Sequence, residues 1–232
     1  MNIGIVKKIY RAKDLKALQS KIDLLGSNAK IKFDASKFMI IRALTTILLA
    51  VILILFSNIQ YLIIPFILIL YYNLFYYILI TNPINRRIEK LDREALTFFE
   101  ILTLTLESGR NLENALEITC SNVNSELSKE FSKSLMEIKF GKSLMEALED
   151  LKLRIPSETI NNIILNITQT SVFGNSIIET MNSQVEFLRE KQIMEIKSQI
   201  NKIPNKVSII SVIFIVPLIL LIVLGPFILE LL

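Results

Sequence analysis

Residues 43–56 read ALTTILLAVILILF, residues 61–80 read YLIIPFILILYYNLFYYILI, and no charged side chain occurs anywhere from 43 to 85. A helix crossing the hydrocarbon core of a bilayer needs about 20 such residues. Only Ser57, Asn58 and Gln60 interrupt the two runs, so residues 38–81 are expected to form a two-helix transmembrane hairpin. Arg42, near the start of the first helix, is expected to reach back to the interface along its own stem. Pro65 falls in the first turn of the second helix, where a missing N–H does little harm. The sequence Thr81-Asn82-Pro83 is expected to end that helix. A third uncharged run, 207–229, contains Pro217, Gly225 and Pro226, which should bend the helix or break its end.

These runs account for an otherwise odd balance. The chain of 232 residues carries 26 Lys+Arg and 22 Asp+Glu, yet is 52% hydrophobic, with a mean hydropathy of +0.50. Apolar and charged residues are segregated along the chain, which marks a membrane protein. Lys30, Lys32, Lys37 and Arg42 precede the first run; Arg86, Arg87, Lys90 and Arg93 follow the second; Lys197, Lys202 and Lys206 precede the third. The positive-inside rule then expects a multi-pass membrane protein with amino terminus and central segment cytoplasmic and the carboxyl terminus outside. No early apolar core with a cleavage site is seen, so no removable signal peptide is expected.

Composition also excludes chemistry. With no His and a single Cys, Cys120, there is no Ser-His-Asp or Cys-His arrangement and no His/Cys zinc set. Neither nucleotide-binding glycine loop occurs. No catalytic, cofactor or metal residue is assigned, and the chain is not expected to be an enzyme. No acidic or basic residue sits at mid-depth in the runs to suggest an ion path. Thr45, Thr46, Asn73, Ser208 and Ser211 are the polar positions there that could bind a neighbouring helix.

Residues 1–37 are a basic cytoplasmic segment. Val6, Ile9, Leu15, Leu18, Ile22 and Leu25 recur at helical spacing among six Lys and Arg side chains, and Gly26-Ser27-Asn28 supplies a stop. Such a helix either lies among lipid headgroups or packs its stripe on the rest of the protein. Nucleic acid is a poorer partner, since Tyr10 is the only aromatic available for stacking.

Residues 84–206 have apolar side chains every three or four places, as in Ile88, Leu91, Ala95, Phe98, Leu102 and Leu106. One pattern occurs three times: GRNLENAL at 109–116, GKSLMEAL at 141–148 and GNSIIETM at 174–181. Gly109, Gly141 and Gly174 suit the left-handed end of one helix, and Asn111, Ser143 and Ser176 suit the cap of the next. Glu146 and Glu179 follow their serines by three, as a capping box requires. With breaks at 122–124 and 154–156, the expected fold is all-α. Six antiparallel helices lie near 84–107, 112–121, 125–139, 144–153, 157–172 and 176–203 in a compact bundle.

The order of these features resembles a known family. A hairpin is followed by Leu106-Glu107-Ser108-Gly109, Phe140-Gly141-Lys142-Ser143-Leu144 and Leu188-Arg189-Glu190-Lys191, and by a closing run with Val216-Pro217 and Gly225-Pro226. This arrangement, over roughly 86–227, looks like the type II secretion system F domain, and is most similar to the single-copy Tad/Flp pilus assembly platform proteins. The third copy departs from the pattern, with Thr180 where the others have Ala. The resemblance implies a platform without its own catalysis. It couples a cytoplasmic secretion ATPase to pilin subunits in the bilayer, and is completed by a second copy or a second platform protein. Another reading is a membrane-anchored helical adaptor in signalling.

If the ATPase meets the corner loops, Arg110, Lys142 and Asn175, each just after a Gly, are the candidate contacts, although both cations also read as solvated charges. Glu100 and Glu107 lie seven apart on one helix face and could meet a basic patch. Arg189, beside Leu188, is a candidate for a buried or interfacial ion pair.

Overall fold

The computed structural model describes residues 12–25, 34–56, 64–173 and 176–230, and among these every element is helical, with no strand. Helix α1 (Ala12–Asp23) precedes the hairpin helices α2 (Ala35–Phe56) and α3 (Ile64–Tyr76). A π-helical turn, Tyr77–Thr81, leads directly into α4 (Asn82–Glu107). Then come α5 (Leu112–Asn122), α6 (Glu126–Lys139), α7 (Leu144–Arg154), α8 (Glu158–Phe173) and α9 (Ile177–Glu230). Two helical stretches are long and apolar enough to cross a membrane, Ala35–Leu55 and Ile64–Glu107; within α9 the apolar stretch Ile210–Leu220 is shorter. Residues 57–63, the expected hairpin tip, and Gly26-Ser27-Asn28 lie outside the described residues. The chain divides into two compact units, 1–182 and 183–232.

Two expected breaks are corrected. Thr81-Asn82-Pro83 does not end the second hairpin helix, which runs without interruption from Ile64 to Glu107. Pro83 has no N–H to offer the preceding turn, and its ring crowds the carbonyl there. The wide turn just ahead, in which the Asn82 N–H reaches back to Tyr77 O, is where the helix absorbs this misfit. Likewise α9 neither stops at 203 nor at Pro217 or Pro226, but continues to Glu230.

At the base of the hairpin, Leu18 is buried with Ala35, Phe38 and Ile80, and Leu15 and Ile22 pack against the same cluster. The described part of the amphipathic stripe therefore faces protein, so α1 braces the two hairpin helices; Val6 and Ile9 lie outside the described residues. Ala35 N–H donates to Gln19 Oε1 at 3.0 Å, and Lys21 Nζ donates to the Tyr76 hydroxyl at 3.1 Å. Arg42 is turned onto the neighbouring hairpin helix. It is only 9% exposed. Its guanidinium lies 3.3 Å from the centroid of the Tyr72 ring and donates through Nη2 to Tyr72 O at 2.9 Å. The cation finds an aromatic face and a carbonyl on the neighbouring helix, a cheaper solution than stretching to water.

Helices α4 to α8 pack in an antiparallel sequence around Leu91, Phe98, Phe99 and Leu102 of α4. Phe131 of α6 stacks on Phe98 with ring centroids 4.7 Å apart and meets Phe99 edge-on. Leu116, Leu151, Ile160 and Ile163 complete the interior from the other helices. The N-termini of α5, α6 and α8 are capped by the residue types those positions favour. Asn111 accepts from Asn114 N–H, and Ser125 from Ser128 N–H. Ser157 Oγ accepts from Ile160 N–H while donating to Asp92.

Because Phe131 is fully enclosed by aromatic neighbours, Phe131→Ala should cost about 3 to 5 kcal/mol. A lower midpoint for exposure of the Cys120 thiol to a thiol-reactive dye on heating the detergent-solubilised protein would show it.

Candidate functional site

Which end of the bundle each corner occupies follows from the contacts of α4. The loops at 123–125 and 155–157 lie at its hairpin end, where Glu126 and the Arg154 carbonyl bond Arg87 and Ser157 bonds Asp92. The corners at Gly109 and Gly141 must then gather at the opposite end, since helices alternate in direction. From Arg87 to Gly109 is about 33 Å at 1.5 Å per helical residue. The start of α9 joins this far end, because Asn182 Nδ2 donates to Glu107 at 3.2 Å and Thr180 bonds Thr170 at 3.1 Å. Gly109 and Gly141 carry φ of +84° and +98°, where a Cβ is strained although nothing lies within 4 Å of where it would be. Behind Gly141 the chain closes with Gly141 N–H to Ile138 O and Lys142 N–H to Glu137 O, a Schellman end. Ser143 and Glu146 then cap each other reciprocally to open α7. Ser176 Oγ accepts from Glu179 N–H at 3.4 Å to open α9.

The candidate contacts fare differently. Arg110 projects from the far end, exposed, with no ion-pair partner among the described residues. Lys142 is instead held within its own corner, donating to Glu137 at 3.1 Å and to Asp150. Glu107 is exposed but engaged by Asn182, and Glu100 is half-buried seven residues earlier on α4. Arg189, in the second unit, pairs with Glu186 on its own helix at 3.2 Å, and both side chains are half exposed, so this pair is not a buried one. Gly174 and Asn175 lie outside the described residues. Sequence reasoning missed Phe140, the residue before Gly141, which is 90% exposed beside exposed Met136 and Met145.

Sequence reasoning also missed the polar knot at the hairpin end. Arg87 reads as one of four membrane-flanking cations, yet it is 6% exposed. Its Nε donates to Glu126 at 2.7 Å, Nη2 to Glu130 at 3.0 Å, and Nη1 to the carbonyls of Leu24 and Arg154 at 2.6 and 3.0 Å. One guanidinium thus ties α4 to α6, to the end of α7 and to the chain just after α1. Lys90 supports Glu126, Lys133 supports Glu130, and Arg154 bonds Glu137 and Ser134. Glu94 caps α6 from α4 by accepting from Glu126 N–H and Leu127 N–H. The clue in the sequence is spacing: Arg87 sits four residues before Leu91 and eight before Ala95, on the buried stripe where Ile88 was expected.

Charge states agree with this geometry. Burial works against ionisation of Glu126, but bonds from Arg87 and Lys90 outweigh it and hold the carboxyl below the usual range. Burial likewise opposes Glu137, whose carboxyl is nonetheless lowered by Lys142 and Arg154, and Lys142 lowers Asp150. Burial pushes the Cys120 thiol up to about 11, against a weaker pull from Ser132, so at neutral pH it is a protonated packing group rather than a nucleophile. Among the described residues no group of three or more metal-ligating side chains occurs.

With the geometry in place, comparison with known proteins gives the class. The family model for type II secretion system protein F matches residues 98–225, more than half of the chain. The chain belongs to the type II secretion system protein F family, the inner-membrane platforms of type II secretion and type IV pilus-related machines, which are structural membrane proteins rather than enzymes. No curated protein and no solved structure matches.

Removing the hub of the knot takes a charge-assisted bond from each of two buried carboxylates and from two carbonyls, so Arg87→Leu should cost about 3 kcal/mol, and adding Glu126→Gln with Glu130→Gln should recover part of it. The same thermal assay reads both. Carboxyls held below their unfolded values stabilise the fold above about pH 4 and lose that contribution as pH falls through their folded values. Unfolding midpoints should therefore be nearly flat from pH 8 to 5 and drop below pH 4.

Proposed function

We propose that this chain is the platform of a Tad/Flp-type pilus or a related secretion machine, coupling a cytoplasmic secretion ATPase to pilin subunits in the bilayer. In this reading residues 38–81 and 207–229 make three crossings. The amino terminus and the bundle lie in the cytoplasm, and the carboxyl terminus lies outside. The ATPase meets the far end of the bundle, through Phe140 and Arg110. Pilin subunits, and a second copy or a second platform protein, meet the crossings within the lipid.

The observation that carries the reading is the single helix from Ile64 to Glu107. It begins in the apolar hairpin and ends at the corner that bears Arg110, fastened along the way by the Arg87 knot. A push or turn applied at the far end is carried along one rod into the hairpin, because a continuous helix has no joint to absorb it. Bundle and hairpin belong to one compact unit, which favours concerted motion over independent tethering.

The test is co-purification of the full-length protein, in membranes and at low salt, with a secretion ATPase of the same organism. Wild type should retain the ATPase, whereas Phe140→Ser combined with Arg110→Glu should lower retention at least tenfold with an unchanged thermal midpoint. Wild-type membranes that capture none would count against the reading. A Ser143→Cys variant in a Cys120→Ser background should react with an impermeant maleimide only after the cells are opened.

A further inference from the structure

The hairpin leaves one polar group in an unfavourable place. Asn73 lies nine residues from Ile64 and seven from Ile80, which puts it about 10 to 14 Å from either end of the second apolar helix, near mid-depth. Its side chain is exposed, on the face of α3 that carries Phe66, Ile69, Leu70 and Tyr77, all exposed as well. The opposite face, with Tyr72 and Phe75, packs on α2 through Arg42 and Phe38. Asn73 Nδ2 donates to Ile69 O at 2.9 Å, which satisfies one of its two N–H groups. Among the described residues its Oδ1 has no partner. The hydroxyls of Thr45 and Thr46 differ: they close on the carbonyls of Ile41 and Arg42 of their own helix and ask nothing of a neighbour.

A carboxamide facing hydrocarbon with an acceptor and a donor unspent is left unpaired at a cost unless something polar meets it. We propose that this face of α3 is the contact between two copies of the chain, with the Asn73 carboxamides hydrogen-bonding each other across a two-fold axis along the membrane normal. The group is self-complementary, each Oδ1 accepting from the other's remaining N–H. Copies inserted in the same orientation bring Asn73 to the same depth without adjustment. A helix of different sequence would need a polar side chain of its own at that depth. Phe66 and Leu70 on one side, and Tyr77 on the other, flank the pair with uncharged surface. The inference rests on the membrane-spanning reading of α3 and names the self-association surface within the proposed platform.

The experiment uses the full-length protein in native membranes, with Cys120→Ser and one new cysteine at a time. Oxidation should join copies at Phe66→Cys, Leu70→Cys and Tyr77→Cys at least fivefold more than at Leu68→Cys or Phe75→Cys. Adding Asn73→Leu to Tyr77→Cys should reduce the joined fraction about three- to tenfold, and Asn73→Gln should restore part of it. Equal joining at every position, none at any, or joining to another membrane protein instead of a second copy would overturn the proposal while leaving ATPase retention intact. Rapid labelling of Leu70→Cys by a water-soluble maleimide would overturn it differently, by showing that α3 lies outside the lipid.

Discussion

The guanidinium of Arg87 holds a position that no apolar side chain could take over singly. It lies at the first buried turn of α4, where the helix leaves the hairpin, and it spends its donors on two carboxylates and two carbonyls contributed by three other parts of the chain. Four cations, Arg87, Lys90, Lys133 and Arg154, surround three carboxylates there, Glu94, Glu126 and Glu130. Such a cluster adds little net stability over an apolar replacement of the whole, because every charge had first to leave water. What it supplies is geometry: directional bonds let α6 and the end of α7 meet α4 in one register, where sliding aliphatic contacts would accept several.

The opposite end of the bundle is built on other terms. Its corners are shaped by backbone, with positive φ at Gly109 and Gly141 and short side chains closing the next turn. A corner of this kind presents what it carries rigidly, and it carries Arg110 and a bare Phe140. The two ends therefore differ: buried charge gathers beside the hairpin around Arg87, whereas the far end carries exposed ion pairs together with the exposed Phe140 and Arg110. That polarity suits a part that receives force at one end and delivers it at the other.

Helices α4 to α8 fall within two residues of their ranges read from periodicity and caps, because both signals are local and the residues that supply them are close in the chain. The corner glycines are legible for the same reason. What periodicity could not resolve was anything set by partners distant in sequence. Arg87 and Arg42 look like solvated or lipid-edge cations until the helices carrying their acceptors are brought beside them. Lys142 looks available until Asp150, eight residues on, returns alongside. Prolines mislead in the other direction: Pro83 reads as a stop and Pro217 and Pro226 as bends or breaks, whereas the helices run through all three. Phe140 carried a signal of its own, a large apolar residue on the outer face of α6, but a single aromatic on a helix carries little weight before the faces are known.

The π turn at Tyr77–Thr81 fits one more residue into a revolution than the helix on either side. Each residue advances an α-helix by about 100°, so the wide turn offsets the azimuth of everything beyond it by roughly that angle. Phe75, before the turn, can thereby pack on Phe38 of α2 while Arg87, beyond it, bonds Glu126 of α6. The turn acts as a phase shifter between two coaxial gears: the side of the helix that meshes in the hairpin is chosen separately from the side that meshes with α6. Shortening the chain there by one residue would leave both sets of teeth intact and point one of them the wrong way.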